Sequence, residues 1–233
     1  MSLYSFCSAL TNNFKKNQWL YKSMVIALIY VSLLFTAAAF LFYSYTLRNP
    51  VIEPTPGNNI VSPAHGKIAR IIRTTRKYVT LQKGWGKIKT LTEDVDNDCF
   101  LIDIVMHLSD VHFQKAPTTG TILYTHHEKG KWKNAVRKAY TMKAALENEK
   151  NEILMNTHFG KIKVIQIAGY VARRIRCFVK KNDHVEKGQS LGVIKMGSQV
   201  TLIFPAKYKL AVHEGQKVVG GKTIIATNER WLR

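Results

Sequence analysis

The chain is short of acidic residues. Its 233 residues hold 15 Asp and Glu against 35 Lys and Arg, a formal charge of +20. Such an excess seeks anionic partners, either nucleic acid or anionic lipid headgroups. A second absence argues against nucleic acid: the basic residues form no dense helical cluster, and no aromatic-rich RNA-binding strand motif occurs. Cysteine is scarce too. Cys7, Cys99 and Cys177 lie far apart and form neither a metal spacing nor an even disulfide set, which points to a reducing compartment. No His-x-His pair occurs, so a membrane-anchored zinc peptidase would lack its ligands. His126 and His127 are adjacent and on a strand would face opposite ways, while His107, His158, His184 and His213 have no metal-like spacing. The expectation is no metal.

Long apolar runs are missing except for one. Residues 24–43, MVIALIYVSLLFTAAAFLFY, carry no charge over twenty positions, the length needed to cross hydrocarbon. Tyr21, Tyr43 and Tyr45 sit near its ends, where amphipathic rings favour an interface. The run is long for a signal peptide and ends in large aromatics instead of a small-residue cleavage site. The reading is an N-terminal flank (1–23), a membrane-anchoring helix (24–46), a turn-rich linker (47–63) with Pro50, Pro54, Pro56-Gly57 and Pro63, and one domain (64–233). Lys15, Lys16 and Lys22 precede the span and only Arg48 closely follows it, a balance that by the positive-inside rule puts the main domain outside.

After the linker, helical periodicity is rare. Segments rich in Val, Ile, Thr and aromatics, punctuated by Gly, Asp and Asn, predict strands at 67–75, 77–82, 87–92, 100–107, 111–115, 120–126, 152–157, 161–168, 171–179, 190–195, 199–204, 208–212 and 222–227. One soluble helix is predicted over 134–147. Residues 182–194 and 214–226 echo each other, each with a polar turn, a valine, a glycine and an apolar strand. That is the hairpin grammar of lipoyl- and biotinyl-like β sandwiches. The fold class is therefore mainly β, a mostly antiparallel sandwich or barrel with lipoyl-like hairpins plus one N-terminal transmembrane helix. A carrier domain modified at Lys195-Met196 and a basic, membrane-tethered binding module without catalysis are the rival readings.

Two apolar runs, Leu191–Ile194 and Val200–Phe204, flank the pair Gly197-Ser198. Glycine offers an unhindered carbonyl and a wide choice of backbone angles beside the serine hydroxyl. Alone, such a pair reads as a surface turn. It stands, however, in an ordered set: Val-Ser-Pro-Ala-His-Gly-Lys-Ile (61–68), Leu-Ser-Asp-Val-His-Phe-Gln-Lys-Ala-Pro-Thr-Thr-Gly (108–120), Glu-Asn-Glu-Lys-Asn-Glu (147–152) with Ile-Ala-Gly-Tyr-Val-Ala-Arg-Arg-Ile (167–175), and Met-Gly-Ser-Gln-Val (196–200).

Together these stretches resemble the short-chain branch of the phosphatidylserine decarboxylase proenzymes, from about residue 46 to about 227. The resemblance implies self-cleavage between Gly197 and Ser198 into chains 1–197 and 198–233, which stay together as a heterodimer, with a higher oligomer left open. It implies that Ser198 becomes a covalent pyruvoyl group, whose ketone condenses with the serine amine of the lipid and takes up electrons as CO2 leaves. Phosphatidylserine in an anionic membrane is the implied partner, phosphatidylethanolamine the product, and the cytoplasmic face of the inner membrane the implied location, against the flanking charges. An ether-linked archaeal serine lipid fits the same pattern. His112 is the implied base, a neutral imidazole being suited to that task near neutral pH. Lys115, Arg173 and Arg174 are candidates for binding the anionic substrate. One position departs from the pattern. The family's Ser-Pro-Ala-Asp-Gly-Lys has an aspartate thought to orient the base, as in a hydrolytic triad, where this chain has His65. His65 then acts as the base itself or as a partner of His112, Asp110 or Asp103 supplies the missing carboxylate, or the chain does not process.

Overall fold

The computed structural model describes residues 3–46, 48–83, 86–129, 149–168, 174–194 and 198–228. The predicted helix over 134–147 lies outside the described residues. Two compact units result, residues 1–45 and 46–233. The first is a helix, α1 (Leu3–Thr46), containing the stretch Gln18–Thr46, long and apolar enough to cross a membrane.

The second unit is built from β1 (Asn59–Val61), β2 (Gly66–Thr74), β3 (Tyr78–Lys83), β4 (Gly86–Leu91), β5 (Cys99–Met106), β6 (Phe113–Lys115), β7 (Gly120–Glu128), β8 (Lys150–Thr157), β9 (Gly160–Ala168), β10 (Ile175–Cys177), β11 (His184–Val185), β12 (Ser190–Ile194), β13 (Ser198–Pro205), β14 (Lys209–Leu210), β15 (Lys217–Val218) and β16 (Ile224–Thr227). An eight-stranded antiparallel sheet in the order β11-β7-β8-β9-β13-β5-β2-β15 forms its body. Two three-stranded sheets, β1-β16-β14 and β10-β12-β6, and the hairpin β3-β4 complete it. Of the predicted strand over 171–179, residues 171–173 lie outside the described residues and the remainder contains β10. The short strands β1, β11 and β15 carry too few alternating residues to stand out in the sequence.

Both faces of the central sheet are covered, so its middle strand is buried on both sides. All eight residues of β13 are buried. Val200, Leu202 and Phe204 face the main core with Ile102, Ile104, Met106, Val164 and Ala168. Ile203 faces a smaller cluster with Cys99, Leu101, Ile165 and Ile167, against which Val79 of β3 packs. The period of two along a strand sends Ser198 to the main-core side and Gln199 and Thr201 to the other.

The echo between 182–194 and 214–226 is structural, and it has a second half. Gly188, Gly215 and Gly221 all adopt positive φ, as does Asn182. The amide of Gly188 donates to Ala116 O, as that of Gly221 donates to Ser62 O; Ile122 N donates to Asp183 O, as Ile68 N does to Gln216 O. The two halves exchange bonds at their centre, Val61 N to Pro117 O and Lys115 N to Pro63 O, each over 2.8 Å. Thus Val61–Ile68 and Lys115–Ile122 are equivalent under an internal twofold, with Pro-x-x-Gly-x-Ile in each. The glycines of that pattern are required. A Cβ on Gly66 would stand 2.3 Å from Val105 O, and one on Gly120 would stand 2.5 Å from Asn156 O.

Candidate active site

Ser198 opens β13, paired with Met106 of β5 on one side and Ala168 of β9 on the other. It is 1% exposed, and its Oγ has no hydrogen-bond partner among the described residues. Burying a hydroxyl unsatisfied costs about 1–3 kcal/mol, and such a group calls for an explanation in reactivity or a missing partner. Gly197 lies outside the described residues, as does Arg173.

The loop between β5 and β6 carries the candidate base. Asp110 Oδ2 accepts from His107 N over 2.7 Å, and Asp110 N donates to His107 O over 3.0 Å, closing a tight turn. His112 follows, with no exposed surface. Its Nδ1 lies 2.7 Å from Asp110 O. A carbonyl only accepts, so Nδ1 carries a proton, and in the neutral imidazole the lone pair is then on Nε2. The carbonyl of His112 accepts from Ile194 N over 3.1 Å. Ile194 is four residues before Ser198, and Met106, across from Ser198, is six before His112. The serine and the histidine are thus tied by backbone pairing on both sides.

A buried amide relay, for which sequence reasoning had no motif, holds this loop. Asn151 Nδ2 donates to Gln166 Oε1 over 2.7 Å, Gln166 Nε2 to Gln114 Oε1 over 2.6 Å, and Gln114 Nε2 to His112 O over 2.7 Å. A signal was available: Gln166 is polar at a position of β9 whose alternation with Val164 and Ala168 calls for an apolar residue.

His65 sits in the turn between β1 and β2, beside Lys115, whose amide bonds Pro63 O. Its Nδ1 is buried without a partner among the described residues and would lie 3.1 Å from a Cβ on Gly220, so the ring needs that glycine. Burial pushes the His65 pKa down, Asp110 opposes that, and the charges of Lys115 and Arg48 add to it. His65 is therefore neutral at neutral pH. Asp110 joins the two histidines: its backbone oxygen fixes His112 and its carboxylate acts on His65. Asp103, the other carboxylate considered, is excluded. It accepts from Arg70 and, over 2.6 Å, from Thr201 Oγ1 on the sheet face away from Ser198. Lys115 is 6% exposed and donates to Asn49 Oδ1 and Ser190 Oγ, each at 3.0 Å. Arg174 is exposed just before β10. No group of His, Cys, Asp and Glu that could hold a metal occurs among the described residues.

Ser198 thus sets a buried hydroxyl, unbonded among the described residues, at the head of β13. Comparison with known proteins agrees in extent with the whole of this architecture. The family described as phosphatidylserine decarboxylase matches residues 39–226. A provisionally named archaetidylserine decarboxylase proenzyme of Methanothermobacter thermautotrophicus is 36% identical over 204 residues, 83% of each chain. Its counterpart in Methanocaldococcus jannaschii is 34% identical over 188 residues, 80% of this chain and 89% of the relative. A phosphatidylserine decarboxylase proenzyme of Rickettsia bellii is 35% identical over 194 residues, 82% of this chain and 76% of the relative. With these matches spanning the β unit and its serine, histidine and lysine positions, the chain belongs to the phosphatidylserine decarboxylase family.

Proposed function

We propose that the chain is a self-processing, pyruvoyl-dependent decarboxylase that converts phosphatidylserine, or its ether-linked archaeal counterpart, to the ethanolamine lipid and CO2. The observation that carries this reading is the buried Ser198 Oγ without a partner, in a member of this family. Nε2 of His112 takes the Oγ proton, and Oγ attacks the carbonyl carbon of Gly197. The Gly197–Ser198 C–N bond breaks as the ester forms, leaving the amine on residue 198. Loss of the Cα proton and cleavage of the Cβ–Oγ bond leave a carboxylate on Gly197 and a dehydroalanine, which water hydrolyses to the ketone and ammonia. Neutral His65, with Asp110, positions this machinery in place of the family's aspartate.

Once formed, the pyruvoyl group supplies a carbonyl that takes up the substrate amine and the electron pair released with CO2. His112 then returns a proton from Nε2 to the carbon that lost CO2. Lys115, Arg173 and Arg174 are the proposed contacts to the anionic lipid. The products 1–197 and 198–233 form the working heterodimer, and α1 anchors it in the cell membrane with the catalytic unit on the cytoplasmic side.

Intact mass of the membrane-extracted protein tests this. The expected result is two chains, the smaller blocked at its N-terminus, and one uncut chain for Ser198→Ala. A wild-type chain that stays whole with an ordinary serine at 198 overturns it.

A further inference from the structure

Lys115 has an unusual environment. The residue is almost fully buried, yet both acceptors of its ammonium, Asn49 Oδ1 and Ser190 Oγ, are neutral oxygens. No carboxylate lies within ion-pair distance of it among the described residues, whereas buried Lys163 and Lys150 each have acidic partners. A buried charge without a counter-charge is costly, and burial holds the Lys115 pKa below its ordinary value. The neighbourhood adds positive field. Arg48, whose Nη2 donates to Ser109 O, and Lys115 both act on His65, and Asp110 is the single acidic group acting on it. Asp110 Oδ2 is already bonded to His107 N. Among the described residues, the Lys115 ammonium thus has no anionic partner.

The substrate of the reading above offers two anions, a carboxylate and a phosphodiester. The carboxylate is consumed. An ammonium on it would stabilise the ground state more than the transition state, in which that charge has moved away, and would slow the reaction. The phosphodiester keeps its charge from substrate to product, so binding it lowers KM at no cost to kcat.

We propose that the Lys115 ammonium, framed by Asn49 and Ser190, seats the phosphodiester of the headgroup, and that the departing carboxylate is held elsewhere. The identity of the ligand rests on the decarboxylase reading. The site takes a phosphodiester monoanion joined to a small amine. It binds substrate and product headgroups alike, so the product competes for it.

The test uses the full chain with Ser198→Ala in detergent, which does not turn over. Glycerophosphoserine, glycerophosphoethanolamine, free serine and inorganic phosphate are titrated by calorimetry and phosphorus NMR. Both glycerophosphodiesters should bind with affinities within about threefold of each other, and free serine should not displace them. Lys115→Met should weaken both by about tenfold or more. Asn49→Asp, at an exposed position, supplies Lys115 with an internal carboxylate and should do the same. Three results overturn the proposal: displacement by free serine, parent-like affinity in Asn49→Asp, or inorganic phosphate binding equally to all three proteins while the diesters do not bind. An uncut wild-type chain would sink the processing reading while leaving this binding measurement intact.

Discussion

The side-chain amide of Gln166 donates to the side-chain carbonyl of Gln114 over 2.6 Å, and neither residue has exposed surface. This bond joins the central sheet to the loop that carries His112, because the other end of Gln114 holds the His112 carbonyl. Gln166→Leu removes the donor and leaves a buried acceptor on Gln114. It should lower stability by about 1–3 kcal/mol. If the relay aims the imidazole, self-cleavage should also slow by about tenfold or more. Urea unfolding reads the first effect. The rate of chain cutting, with the nitrogen shifts of the His112 ring as a reporter of its tautomer, reads the second. An unchanged cutting rate in a destabilised protein would reduce the relay to packing.

A second prediction concerns acid. Folding disfavours protonated His65, through burial and then through Lys115 and Arg48 against the opposing Asp110. In the unfolded chain the group titrates near about 6.5. Below that pH the unfolded state takes up the proton first, so stability falls as pH drops from about 6.5 toward the lower folded value, and this contribution is flat above it. His65→Asn should remove that part of the slope. Urea midpoints measured across the window for both proteins check it, and parallel curves would refute it.

Gly192 lies where the relay crosses β12. A Cβ there would stand 2.6 Å from Arg176 O and 2.7 Å from Gln166 Nε2. The first neighbour is backbone and cannot swing aside. Gly192→Ala should destabilise by about 1–3 kcal/mol and displace Gln166 as well, so that thermal melting and cutting rate both fall. A variant that melts like the parent would contradict the spacing.

On the far face of the sheet, Lys163 is fully buried between Asp94 (Nζ–Oδ2 2.5 Å) and Glu152 (3.5 Å), and Lys150 bonds Glu152 at 3.1 Å. Tyr124 donates to the same Asp94 oxygen over 2.6 Å, and its pKa is raised by burial and then by that carboxylate. Removing one partner leaves uncompensated buried charge, so Lys163→Met should cost about 3–5 kcal/mol. Adding Asp94→Asn and Glu152→Gln should recover much of it. Melting temperatures of the single and triple variants decide, and equal values would show that the cluster is not coupled.

The sequence made some of this legible and hid the rest for physical reasons. The strands with alternating apolar residues, such as Cys99–Met106 and Gly160–Ala168, stood out because the period of two is local. The hairpin echo of 182–194 and 214–226 was visible because its turns need Gly188, Gly215 and Gly221 at positive φ. Its partner echo, 61–68 with 115–122, shares only Pro, Gly and Ile, and emerges only when the exchanged bonds at Val61 and Lys115 are seen. Ser198, His112 and Lys115 were singled out as candidates by ordered motifs. The amide relay and the neutral setting of Lys115 were not, because each depends on side chains brought together from separate strands, and no spacing along the chain encodes that. Asp103 illustrates the converse. Its proximity in sequence to the His112 loop suggested a role, but the alternation of β5 turns it to the opposite face, toward Thr201.

β13 lies between β5 and β9, hydrogen-bonded along both edges and buried throughout. A break just before Ser198 would therefore free an end without freeing a piece. Residues 198–233 would remain laced into the sheet, and the nicked molecule would migrate as one body until denaturant parted it. On the proposed chemistry the reactive group is born inside this seam and cannot exchange with a pool of cofactor. Each polypeptide then carries a single, unreplaceable centre, and catalytic capacity can be renewed only by translation.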